Sequence, residues 1–222
     1  MTDEELKTIV VDKLRWDDRV NSAEVSVVVD DCKVTLTGAV SSYKAKHKVE
    51  EYVREVAGII EIDNQLRVQY PPITSILTDE EIVSNVMNAL TQNPDIDANK
   101  INVSVIGGLL TLQGTVDAFW KKFQAENTAY GITGVIDVVN EIAIVPTKEA
   151  EDEEIARSIE NALERDMDVE AEDVNVIVEN GRVSLIGFVP NWAAWRAAHN
   201  TTSCIKGVTM VMDGLVIRNL DN

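Results

Sequence analysis

One short phrase occurs three times along the chain: Val34-Thr35-Leu36-Thr37-Gly38, Leu110-Thr111-Leu112-Gln113-Gly114 and Val183-Ser184-Leu185-Ile186-Gly187. Each is a strand-like alternation that stops on a glycine. Gly38 to Gly114 is 76 residues and Gly114 to Gly187 is 73. The same offsets join Leu14, Leu90 and Leu163; Gly58, Gly134 and Gly207; and Asn64, Asn140 and Asp213. A period of this size is too long for a solenoid repeat, so each copy is expected to be a domain with its own core.

Within each copy the local signals come in one order. An amphipathic helix opens it, with stripes Leu6/Val10/Leu14, Ile82/Val86/Leu90 and Ile155/Ile159/Leu163. Thr2 with Glu5 and Thr78 with Glu81 have the spacing of a capping box. The acidic run Glu151 to Glu154 suits a helix N-terminus through the dipole. A period-2 strand follows (Val25/Val27/Val29, Ile101/Val103/Val105, Val174/Val176/Val178), then a turn at Asp30-Asp31, Gly107-Gly108 or Asn180-Gly181. The glycine-ended phrase is therefore the second strand of a hairpin. A second helix follows it, carrying an aromatic at a fixed place (Tyr43, Phe119, Trp192), and a last alternating strand runs through Asn64, Asn140 or Asp213.

The fold class expected is α+β: three tandem αββαβ domains over residues 1–70, 77–146 and 150–219. Each is a three-stranded sheet with two helices on one face, the two-layer solution for such a set. Tyr70-Pro71-Pro72-Ile73 and Pro146-Thr147-Lys148 read as short, stiff junctions.

The net charge of -18 argues against a nucleic-acid partner and against general adhesion to anionic membranes. No stretch approaches the roughly 18 apolar residues of a spanning helix. The start, Met1-Thr2-Asp3-Glu4-Glu5, lacks the basic and apolar regions of a signal peptide. The expected location is cytoplasmic, or periplasmic if a leader has been removed. Cys32 and Cys204 read as reduced thiols, and two histidines, His47 and His199, are too few for a His-based metal site. No cofactor, metal site or catalytic constellation is expected: there is no phosphate loop, HExxH, Cys-x-x-Cys or nucleophile elbow.

Each copy resembles a BON domain, the family named for bacterial osmotically inducible and nodulation proteins. The residues that carry the resemblance are clearest in copy two: Leu110-x-Leu112-x-Gly114-x-Val116, Gly134-Val135, then Val138-x-Asn140-x-Ile142. Copy three departs by Asp213 for the asparagine and by Pro190 at the start of its second helix. The resemblance implies a non-enzymatic binding or scaffold module, stress- or envelope-linked, with a phospholipid surface as the first ligand expected. An alternative is a cytoplasmic sensor of potassium or calcium: the resemblance extends to a potassium-binding relative, and a charge of -18 suits cation attraction.

Candidate contact residues come from differences between the copies. Tyr43, Lys44, Lys46 and Lys48 form the one dense basic patch of an acidic chain, suited to a lipid headgroup surface or a partner. Trp195 stands where the other copies have Lys46 and Lys122, which makes it a second such candidate. On the open sheet face copy one reads polar (Thr35, Thr37, Glu61, Asp63, Gln65, Arg67). Copy three reads Ile177, Ile186, Phe188, Met210, Met212 and Val216 around Ser184. An apolar face of that kind marks an interface with a protein partner, another domain or a second copy of the chain.

Overall fold

The structure is a computed structural model and describes residues 2–16, 22–70, 77–146 and 151–218. The expected junctions at 71–73 and 147–148 lie outside the described residues. The chain forms two compact units, Met1–Gln113 with Ala125–Glu141 and Gly114–Gln124 with Ile142–Asn222, so the division runs through the second repeat.

The same element order appears three times, as α+β domains. Repeat one has α1 (Asp3–Arg15), β1 (Val25–Asp30), β2 (Lys33–Val40), α2 (Tyr43–Arg54), and a last strand in two parts, β3 (Glu61–Asn64) and β4 (Arg67–Val68). Repeat two has α3 (Asp79–Gln92), β5 (Ile101–Ile106), β6 (Leu109–Val116), α4 (Phe119–Tyr130) and β7 (Asp137–Ile144). Repeat three has α5 (Asp152–Leu163), β8 (Val174–Glu179), β9 (Arg182–Val189), α6 (Trp192–Ser203) and β10 (Met210–Ile217).

In every sheet the hairpin's second strand is central. In the first and third repeats it pairs antiparallel with the strand before it and parallel with the last. A parallel return needs a crossover, and the second helix of each repeat supplies it. The helix stripes behave as their spacing predicts: Leu6, Val10, Leu14, Ile82, Val86, Leu90, Ile155, Ile159 and Leu163 are all buried. In repeat one they meet Val34 and Leu36 from β2 and Val49 and Val53 from α2 in a single core. Both capping boxes form, with Thr2 N donating to Glu5 Oε2 at 2.8 Å and Thr78 N to Glu81 Oε2 at 2.8 Å.

The repeated glycine lies inside its strand, two residues before the end. At Gly38 φ is +118° and at Gly187 +146°. A Cβ there would sit 2.0 Å from the Glu24 carbonyl oxygen or 1.9 Å from that of Asp173. The helical turn preceding the first strand crosses so closely that only glycine fits.

A second device is repeated that the run of acidic residues conceals. Asp3, Asp79 and Asp152 occupy one repeat position in the first turn of the first helix. Each carboxylate accepts both backbone N–H groups of the hairpin turn: Asp31 and Cys32 at 3.1 and 3.2 Å, Gly107 and Gly108 at 2.7 and 3.0 Å, Asn180 and Gly181 at 2.7 and 2.9 Å. This latch ties helix to hairpin. It also corrects the turn of copy one by a residue, to Asp31-Cys32, both left-handed at φ 52° and 62°. Cys32 holds a conformation costly for a side chain with a Cβ. The two hydrogen bonds to Asp3 help to hold it there.

Candidate functional site

Within the first unit, the N-terminal half of α2 meets residues of the second repeat. Tyr43, the first residue of α2, is buried, its ring edge-on to His47 at 4.7 Å and to Tyr130 at 5.0 Å. The His47 ring stacks on Tyr130 at 4.1 Å, and Tyr130 donates its hydroxyl hydrogen to Glu126. Tyr70 donates to the Val135 carbonyl at 2.8 Å. Burial pushes both the Tyr43 and Tyr130 hydroxyls well above the ordinary phenol range, and the nearby Asp137 and Glu126 carboxylates add to it. Burial also holds the His47 imidazole below its usual value, against the pull of Glu50 and Glu126. For Glu50, burial acts upward, but hydrogen bonds from Asn64 (2.9 Å) and Arg54 (2.5 Å) outweigh it and keep the carboxyl low.

This placement revises the basic patch. Tyr43 faces its neighbours inside the protein and not a bilayer. Lys44 is exposed and Lys46 half-buried. Lys48 is paired with Glu51 at 2.6 Å and lies over the Tyr52 ring at 4.9 Å. The patch thus offers less free positive charge than its sequence suggests.

Asn64 and its equivalents pin the last strand to the second helix. Asn64 accepts from Leu66 N at 3.2 Å while donating to Glu50, and Asn140 donates to Glu126 at 3.0 Å. In repeat three both partners change together. His199 replaces the glutamate and Asp213 replaces the asparagine. Asp213 accepts the Trp195 indole N–H at 2.7 Å and Leu215 N at 3.0 Å. Trp195 is half-buried, stacked on His199 at 5.3 Å and edge-on to Trp192 at 5.2 Å. Within the same unit Phe123 lies edge-on to His199 at 5.9 Å, and Phe119 joins the core of repeat three. Trp195 therefore has an internal structural role that accounts for its departure from the lysines of the other copies.

The sheet face of repeat three is different in kind. Ile177, Ile186, Phe188, Met210, Met212 and Val216 are each 41 to 54% exposed. The register makes them neighbours: Ser184 lies between Ile177 and Met212, Ile186 beside Gly214, and Phe188 beside Val216. The equivalent positions are Val28, Thr37, Ala39, Glu61, Asp63 and Arg67 in repeat one, and Ser104, Gln113, Thr115, Asp137, Val139 and Ala143 in repeat two. Charge is confined to the rim, where Glu179 is the cross-strand neighbour of Arg182 and Arg218 lies over the Phe188 ring at 5.2 Å.

Among the described residues no group of three or more His, Cys, Asp or Glu side chains is placed to hold a metal ion, and no helix is long and apolar enough to cross a membrane. Both cysteines are free thiols.

The BON domain family matches this chain three times, at residues 2–70, 78–146 and 151–219. The chain belongs to the BON family. Its three BON domains are the three αββαβ repeats. Among similar proteins is the outer membrane lipoprotein DolP of Haemophilus influenzae, 32% identical over 141 residues, 61% of this chain and 72% of that protein. Osmotically-inducible protein Y of Escherichia coli is 26% identical over 56% of this chain and 64% of its own length. A 21 kDa hemolysin of Actinobacillus pleuropneumoniae is 30% identical over 60% of this chain and 71% of its own length. These BON relatives correct the cytoplasmic placement expected from the acidic N-terminus. An outer membrane lipoprotein among them points to the cell envelope. An acidic start was a poor guide, because local charge near residue 1 says little about how a domain array is used.

Proposed function

We propose that this protein is a non-enzymatic, envelope- and stress-linked docking scaffold, in which the sheet face of the third BON domain is the contact surface. The observation that carries this reading is the exposure of six large apolar side chains on adjacent strands of one repeat, at positions that are mostly polar or small in the other two. Contiguous apolar patches larger than a few hundred Å2 are uncommon on monomers, and the largest patch of a surface is often functional. The envelope and stress link rests on the relatives, one a lipoprotein of the outer membrane and one induced by osmotic stress.

A photo-reactive side chain at Met212, compared with one at the equivalent Asp63, tests the reading in cells. Cross-linking confined to Met212 is expected. Equal cross-linking at both sites, or none at either, refutes it.

A second reading, contact with phospholipid headgroups at the start of α2, is favoured by the exposed Lys44 and by the outer membrane relative. Co-sedimentation with anionic vesicles, lost on Lys44→Glu, is its expected signature; an unchanged Lys44→Glu protein removes it.

A further inference from the structure

We infer that the occupant of the third domain's sheet face is a second copy of this chain, seated by two-fold symmetry about Ile186. This rests on the docking reading above and names its partner.

Three observations favour a second copy over a bilayer or a charged partner. The first is shape. Along β9 the outward residues are Arg182 at the end beside Met210, then Ser184, Ile186 and Phe188. Ser184 is a hollow walled by Ile177 and Met212, and Gly214 leaves another beside Ile186. Phe188 and Ser184 are equally distant from Ile186, in opposite directions along the strand. A two-fold axis at Ile186, in the plane of the face and across the strands, lays each Phe188 ring into the Ser184 hollow of the other copy. The flexible methionines Met210 and Met212 adapt around it. Face-to-face sheets about 10 Å apart interdigitate in this way.

The second is area. A large apolar side chain offers on the order of 200 Å2 when free. Six at about half exposure make a patch on the order of 500 Å2. Two such patches together remove about 1,000 Å2 from water before the rim is added, the lower bound for a specific interface. Because only one repeat carries the patch, an isologous pair closes at two copies and does not propagate into a filament.

The third is charge. The six side chains carry none; among the described residues the cations against them are Arg182, 3.9 Å from Met212 Sδ, and Arg218 over Phe188, in a chain that carries -18. Anionic lipid is repelled by such a chain. The side chains are also half-sunk in the sheet surface, whereas interfacial anchors reach roughly 5–10 Å into the headgroup region. Two copies repel each other as well, but this repulsion acts at long range and is screened by salt, while the apolar contact is not. Association of this kind strengthens as salt rises from low to physiological levels. Headgroup or basic-partner binding weakens over the same range.

The experiment is sedimentation equilibrium of the full chain over about 1–100 µM, the span in which a micromolar complex titrates, at low and physiological salt. The expected result is a monomer–dimer equilibrium that tightens with salt. Phe188→Asp and, independently, Ser184→Phe, which fills the hollow, should each weaken it at least tenfold, with circular dichroism unchanged. Thr37→Asp in the first repeat should leave it as it is. A monomer at all concentrations and both salts overturns the inference, as does a dimer unaffected by either variant of the third domain. If the chain is monomeric yet Met212 still cross-links to another protein in cells, the docking reading stands and the second copy is refuted. If neither occurs, both fall.

Discussion

Replacing Asp152 by asparagine isolates the helix–hairpin latch with almost no change of shape. The Asp152 carboxylate accepts Asn180 N–H at 2.7 Å and Gly181 N–H at 2.9 Å, and Gly181 is buried. Asparagine keeps one acceptor oxygen and turns an NH2 group toward the other donor. One charge-assisted hydrogen bond is lost and the second becomes neutral. A hydrogen bond to a charged group contributes roughly 1.5–3 kcal/mol net, the lower end applying at the solvent edge. The loss of one helix-start charge adds a few tenths of a kcal/mol, since Glu153 and Glu154 remain in the same turn. The expected destabilisation is about 2 kcal/mol, read from urea unfolding. The Asn180 and Gly181 amides should also lose protection in hydrogen exchange before the core of β9 does. Glu153→Gln, an exposed change in the same turn, is expected to cost no more than about 0.5 kcal/mol. If the two variants unfold alike, the carboxylate acts only on the helix dipole and the latch contributes nothing. Asp3→Asn should cost less than Asp152→Asn, because its bonds are longer, 3.1 and 3.2 Å.

Two further outcomes concern the repeated glycine and His47. Gly187→Ala forces a side chain onto the Asp173 carbonyl at φ +146° and should cost at least about 3 kcal/mol, against about 1 kcal/mol for Gly107→Ala, where nothing lies within 4 Å; equal urea midpoints would show that the crossing turn yields easily. The His47 imidazole is held below its unfolded value chiefly by burial, so as pH falls through about 6.5 the unfolded chain takes up a proton that the folded chain refuses, and stability declines until the depressed folded value is reached. His47→Phe, which keeps a ring on Tyr130, should flatten that part of the pH–stability curve, and an unchanged slope assigns it to another group.

Much of the fold was legible because the chain repeats itself. A stripe such as Leu6/Val10/Leu14 is ambiguous alone, but three at one offset exclude chance, and all nine residues are buried. The hairpins, the capping boxes and the glycine that tolerates a close backbone were readable for the same reason. The Asp latch was not, although its residues lie at one repeat position. Each aspartate sits in an acidic first turn that the helix dipole already explains, so nothing local marks one carboxylate as special. The contact of His47 with Tyr130 was also invisible. The equivalents of His47 are Phe123 and Arg196, so no conserved type signals a shared surface. In the basic patch the i,i+3 spacing of Lys48 and Glu51 already pointed to the pair that forms, whereas the burial of Tyr43 against Tyr130 depends on a residue 87 positions away and left no local mark. The apolar face of the third domain was legible because strand alternation fixes which side a residue faces, and Ile186, Phe188, Met212 and Val216 are exposed as that phase requires.

The three domains share core pattern and latch, so their surfaces are where a division of labour can be written without cost to the fold. Random drift of exposed positions scatters apolar residues singly, which needs no explanation. Here they gather on β8, β9 and β10 of one repeat, in register, while Glu61, Asp63 and Arg67 hold three of the same positions in another. A patch of this kind invites non-specific aggregation in a chain near neutrality. At -18 the long-range repulsion between chains suppresses loose encounters, and only a closely fitting surface gains enough short-range contact to overcome it. The charge that argued against nucleic-acid and anionic-membrane partners therefore has a second consequence: it makes the apolar face selective. Neutralising surface carboxylates far from the third domain should accordingly promote disordered association more than it strengthens the specific pair. Light scattering of such a variant with and without Phe188→Asp separates the two, and scattering that vanishes entirely with Phe188→Asp would show that the face alone, without help from the charge, sets what the chain binds.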